Sequence, residues 1–168
     1  AILNVTNNTD LNGTSITLGN TLTDTFNTGT LTFFSGGAIS ISEDSDIDLV
    51  GTNQADSLGL SSPSIGGDIS DAGATSLTVT GLTNVFGDTI TLGSGTFNTG
   101  TLRFVANGTA VISENSDTDI TNDNLAGSLD LDSTGAIDDS TATIVAVVGL
   151  MDVAGTSITL GGGTLLAG

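Results

Sequence analysis

Apolar and polar residues alternate in short bursts along the chain: Ile16/Leu18, Leu31/Phe33, Ile39/Ile41, Ile47/Leu49, Leu58/Leu60, Leu77/Val79, Ile90/Leu92, Leu102/Phe104, Leu129/Leu131, Val145/Val147 and Ile158/Leu160. Each burst meets Gly, Asn, Asp or Ser within a few positions, which is the pattern of a half-buried strand ended by a turn. No window sustains apolar spacing at i, i+3, i+4 and i+7. The pattern predicts an all-β chain, with Leu77, Val79, Ile90, Leu92, Leu102, Phe104, Val145 and Val147 pointing inward.

The bursts recur. Thr25-Phe26-Asn27-Thr28-Gly29-Thr30-Leu31 returns letter for letter at Thr96–Leu102, an offset of 71, and the match stays in register through Asp48 and Asp119, with 15 of 24 positions identical. Gly67 to Gly93 matches Gly135 to Gly161 at an offset of 68, and Gly13-Thr14-Ser15-Ile16-Thr17-Leu18-Gly19 returns unchanged at Gly155–Gly161. The repeats run approximately 13–86, 87–154 and, in part, 155–168. Self-similarity at a fixed period marks a stacked repeat protein, read here as one elongated domain over 1–168.

Strands this short bury a core when coil stacks on coil. A parallel β-helix (β-solenoid) with about three coils of roughly 23 residues per 68–74-residue repeat fits the period. The rival is an Ig-type β-sandwich, which also uses many short strands. Units of about seventy residues are short for it, and neither carries a core Trp or a Tyr corner.

Composition narrows the chemistry. His, Cys, Lys, Tyr and Trp are absent, and Arg103 is the one basic side chain against nineteen acidic ones, for a net charge of −18. No imidazole base, thiol nucleophile or Schiff-base lysine is present, so the expectation is a chain that is not an enzyme. Nucleic acid is disfavoured because its phosphates are neutralised by Lys and Arg, and no apolar run reaches the roughly 18 residues of a membrane span. A start at Ala1 without a basic leader suggests a mature or excised segment.

Two acidic stretches are equivalent in the repeat: Ser42-Glu43-Asp44-Ser45-Asp46-Ile47-Asp48 and Ser113-Glu114-Asn115-Ser116-Asp117-Thr118-Asp119. Asp46, Asp48, Asp117 and Asp119 are candidate Ca²⁺ ligands, as alternate carboxylates on one strand face. Neither EF-hand spacing nor the Gly-Gly-x-Gly-x-Asp nonapeptide is present, and the plainer reading is a solvated acidic turn. Asp130, Asp132, Asp138 and Asp139 form a weaker candidate. Thr-x-Thr pairs such as Thr78/Thr80 and Thr89/Thr91 suggest an ice-binding ladder, although Thr is also a good strand former.

The style of these repeats, as in Ser76–Leu82, Thr89–Gly93, Phe97–Gly100 and Gly37–Ile41, resembles that of filamentous-haemagglutinin-like and autotransporter-like bacterial surface proteins. The resemblance implies a right-handed β-helix, export to the cell surface or exterior, and a role as stalk, fibre or adhesin, with no catalytic or binding residue carried over.

The function expected is a structural extracellular filament segment, its partners being copies of itself end to end and also laterally. An adhesin binding surface glycans, with or without Ca²⁺, is the alternative, and an ice-binding solenoid a third. Both termini are apolar and strand-like, so Ile2, Leu3, Val5, Leu165 and Leu166 are predicted to join copies end to end. The stretch Ile144-Val145-Ala146-Val147-Val148 replaces the alternating Ser76-Leu77-Thr78-Val79-Thr80. Its outward Ile144, Ala146 and Val148 are therefore predicted to be covered by another copy, a neighbouring filament or the chain's own N-terminal segment.

Overall fold

The structure, a computed structural model, describes residues 1–19, 21, 23–139 and 144–168. Among them are twenty strands and no helix, wound as a β-solenoid of about eight turns with about 21 residues per turn. Each strand pairing is parallel, from Ile2–Gly13 on Thr25–Ser35 at one end to Ile144–Val147 on Thr164–Ala167 at the other. That excludes the sandwich, whose sheets are antiparallel.

One middle turn shows the plan. The chain runs along Ile90–Leu92, then along the two halves of Thr96–Ala106 on either side of a register shift at Gly100. It returns to the first face with Thr109–Glu114, which stacks on Ile90–Leu92. Because side chains alternate across a strand, every second residue enters the lumen and lies on its counterpart one coil away. Ile47, Ile69, Ile90, Ala110, Leu129 and Met151 form one such column. The first five are buried, and each such Ile or Leu is worth roughly 1.5–3 kcal/mol by leaving water.

About three coils per repeat is correct with a remainder. An offset of 71 at about 21 residues per turn is about three and a third turns, so equivalent residues fall on successive faces. Leu31 stacks on Leu49 and through it on Asp71. Its equivalent Leu102 stacks instead in the column of Ile39, Leu58 and Thr83.

The corners move with the repeat. The straight strand end Thr30–Ser35 opens, one coil on, into Ile47–Leu49 and Thr52–Ala55. Likewise Thr101–Ala106 opens into Thr118–Ile120 and Asp123–Ala126. The new corner needs a left-handed backbone, supplied by Gly51 (φ 68°) and, 71 residues later, by Asn122 (φ 60°). Asn is the usual substitute for Gly in that conformation.

Candidate functional site

The letter-for-letter heptapeptide and the acidic stretch are two halves of one corner. Phe26 and Phe97 fill the core, as do Leu31 and Leu102. Between them the chain crosses the coil below closely: a Cβ on Gly29 would lie 2.5 Å from the Thr6 carbonyl oxygen, and one on Gly100 2.3 Å from that of Thr80. Only glycine fits there. The buried hydroxyls of Thr28 and Thr99 bond the neighbouring coil, to Thr9 Oγ1 at 2.6 Å and Thr83 Oγ1 at 2.7 Å.

The next coil closes over this strand with the acidic stretch. Glu43 Oε1 accepts the Thr28 amide at 2.6 Å and the Ser45 hydroxyl at 3.0 Å. Glu114 Oε1 accepts the Thr99 amide at 3.0 Å and the Ser116 hydroxyl at 2.7 Å. Asp44 and Asn115 accept the amides of Phe26 and Phe97 at 3.0 and 2.8 Å. Ser62 and Ser133 each donate a hydroxyl to the carbonyls of Ser45 and Ser116 from the coil beyond.

The turn is solvated at Asp44, Asp46 and Asp48 and at Asn115, Asp117 and Asp119, all exposed, but not at its glutamates. Glu43 is 0% and Glu114 2% exposed, and the Oε2 of each is buried without a hydrogen-bond partner. The Thr118 hydroxyl neighbours Glu114 without completing a bond of good geometry. Burial raises both carboxyls above the usual glutamate range, against the lowering effect of the amide and hydroxyl bonds; the charges of Asp48 and Asp46 push Glu43 further, as Asp117 does Glu114.

The four candidate Ca²⁺ ligands do not converge. Asp46 Oδ1 accepts the Asp68 amide and Asp117 Oδ1 the Ala136 amide, so both cap the following coil. Asp48 takes the Ser70 hydroxyl, while Asp119 stacks beside Asp138. Burial first, and then the Asp138 and Asp139 charges, raise the Asp119 carboxyl. Among the described residues no three His, Cys, Asp or Glu side chains are placed to hold a metal.

Asp139 is a cap of another kind. It accepts the amides of Gly161, Gly162 and Gly163 at 3.0–3.3 Å. Its burial alone would raise the carboxyl, and these amides outweigh it and hold it low. Asp71, 68 residues earlier, bonds Gly93 and Ser94 in the same way.

The sequence reading missed Asn53 and Asn124. Both are buried where the strand opens. Their Oδ1 atoms accept the Phe33 and Phe104 amides at 2.9 and 2.8 Å, and their Nδ2 groups donate to the corner carbonyls of Val50 and of Thr121 and Asn122. The available signal was an Asn repeated at the offset of 71.

The predicted association residues divide into two sets. Leu3, Val5 and Leu165 are in register with the buried Phe26, Thr28 and Val145, so they belong to the open ends of the lumen. Ile2 and Leu166 sit on the outer row, in register with Thr25 and Ala146. Ile144 is 39% and Val148 75% exposed, with Ala146 half-buried. The N-terminal strand does not cover them, because it pairs with Thr25–Ser35 at the opposite end of the solenoid.

No threonine ladder crosses the coils at the suggested pairs: Thr78 stacks between Gln54 and Asn98, and Thr91 between Ser70 and Val111. A surface groove of about 390 Å³ is lined by residues including Ser113, Glu114, Asp132 and Thr134, with no aromatic or basic side chain. No family model, curated protein or solved structure matches the chain.

Proposed function

We propose that the chain is a structural, non-catalytic segment of an extracellular bacterial filament or stalk, of the filamentous-haemagglutinin-like or autotransporter-like kind, whose copies stack end to end. One observation carries the reading. Both end coils present unpaired parallel strand edges around inward apolar side chains: Leu3, Leu11, Ile16 and Leu18 at one end, and Val153, Ile158, Leu160 and Leu165 at the other. A further coil placed on either end continues the ladder and covers those side chains, whether it comes from the same chain or from a second copy. A head-to-tail contact of this kind does not close, so it propagates as a fibre.

The acid-rich corners support the same reading, because their side chains accept backbone amides of the neighbouring coil and so tie coil to coil. Resistance to trypsin-like cleavage fits the same reading: Arg103 is the one trypsin site, and its side chain is tied to Asn84 and to the Asp123 carbonyl. The adhesin alternative has no comparable observation in its favour.

Electron microscopy of negatively stained protein with and without residues 1–5 tests the proposal. The parent forms unbranched fibres and the truncated chain forms fewer or shorter ones. Unchanged polymerisation after truncation excludes a role for residues 1–5.

A further inference from the structure

One outer row differs from the rest. Phe86, Val105, Leu125, Ala146 and Leu166 stack on five successive coils, each in register with the next. All five point outward and are half-buried or exposed, Leu125 at 40% and Leu166 at 57%. At the 4.7–4.9 Å strand spacing they make an apolar stripe about 19 Å long. Val148 continues it to one side. On the other side runs the row Asn84, Arg103, Asp123, Ile144 and Thr164.

Other outer rows carry stacked acids, Asp130 on Asp152 and Asp119 on Asp138. Two molecules of charge −18 repel wherever those rows meet. The stripe carries no charge, and beside it lie the chain's one basic side chain and an exposed carboxylate. Arg103 packs its guanidinium 4.6 Å from the Phe86 ring centre, donates Nη1 to Asn84 and Nε to the Asp123 carbonyl, and makes no ion pair among the described residues.

We propose that this stripe is the lateral docking face for a second copy, the two solenoids running antiparallel about a two-fold axis that lies between the coils of Arg103 and Asp123. That axis sets Arg103 of each copy against Asp123 of the other. The same operation sets Phe86 against Ala146 and Val105 against Leu125, so a large side chain meets a small one and the remaining pair is matched in size. A parallel pairing instead sets Arg103 against Asn107, in the row of Val148, and sets that row's carboxylate, Asp88, against Asn84, so the two charges do not meet. The contact is isologous and closes at two copies, and it is independent of end-to-end stacking.

The charge exchange gives a complementation test. Sedimentation velocity reads pairing as dimer against monomer; where the chains also stack end to end, microscopy reads it as filaments two solenoids wide against one. Arg103→Asp and Asp123→Arg each place like charges across the axis and weaken pairing more than about tenfold, and an equal mixture of the two restores it. Leu125→Asp abolishes pairing with an unchanged circular-dichroism spectrum, because its side chain lies outside the core. A parent that stays single at its highest soluble concentration overturns the proposal, and so does a single charge variant that pairs like the parent or a mixture that does not recover.

Discussion

The corners at Ser42–Asp48 and Ser113–Asp119 build the same structure from different letters. Asp44 in the first is Asn115 in the second, yet both accept the amide of the Phe below. Ile47 is Thr118, yet both are buried. Gly51 is Asn122, yet both hold the left-handed backbone that opens the strand. What persists is an acceptor, a volume and a φ angle; the negative charge of Asp44 does not. At that position the corner needs a hydrogen-bond acceptor alone, while the candidate metal ligands Asp46 and Asp48 return as Asp117 and Asp119.

The largest effect that breaks both corners together is expected from the core they share. Leu92 is buried and in register with Ile112, so Leu92→Asp should cost about 4 kcal/mol or prevent folding, as an unpaired buried charge. Thermal or urea unfolding followed by circular dichroism checks this, and a variant that melts like the parent removes the inward assignment.

Next come the buried asparagines. Asn53→Ala strands the Phe33 amide and the Val50 carbonyl, and Asn124→Ala the Phe104 amide and the Thr121 and Asn122 carbonyls, each at about 2–3 kcal/mol. Equal losses would show that the two openings are equivalent. A loss confined to Asn53 would mean that Asn122, the side with no glycine, relaxes and rescues its own corner.

Acidity sharpens the comparison further. Glu43 and Glu114 have folded-state pKa values above the usual one. Each therefore contributes stability that is fully present below the ordinary glutamate value and is lost as pH rises through the raised one. Glu43→Gln and Glu114→Gln imitate the protonated form, so the stability difference between parent and variant should grow in the variant's favour from acid to neutral pH. Burial leads in both, with Asp48 and Asp46 adding at Glu43 and Asp117 at Glu114, so both pairs should show the trend. A flat difference across that window contradicts the buried-carboxyl account.

The smallest effect is expected from Asp44→Asn, which copies the second corner into the first. Its hydrogen bond survives, so the melting temperature should move by no more than about 0.5 kcal/mol equivalent. Added Ca²⁺ should stabilise neither protein. A clear calcium-dependent gain in the parent that Asp46→Asn or Asp48→Asn abolishes would restore the metal reading.

Alternation made much of this fold legible. All eight residues expected to point inward are buried, because an apolar burst of period two has one place to go in a stacked coil. Thr52–Ala55 escaped notice as a strand, since its inward residues are Asn53 and Ala55 and the Asn is paid for by hydrogen bonds rather than by apolar area. Glu43 read as surface for the same reason. The row Phe86, Val105, Leu125, Ala146 and Leu166 was invisible in one dimension: its members lie 19 to 21 residues apart, and only the coil length brings them together. The repeat itself concealed the coil length, because 71 residues is not a whole number of turns.

X-ray diffraction from an oriented, concentrated sample of the chain tests the central claim most directly, namely that copies stack end to end as one continuous parallel ladder. Strands perpendicular to the fibre axis at successive coils, continued across the junctions between copies, give filaments with a sharp meridional reflection near about 4.8 Å. A monodisperse monomer at every concentration, with no filaments and no such reflection, would contradict it.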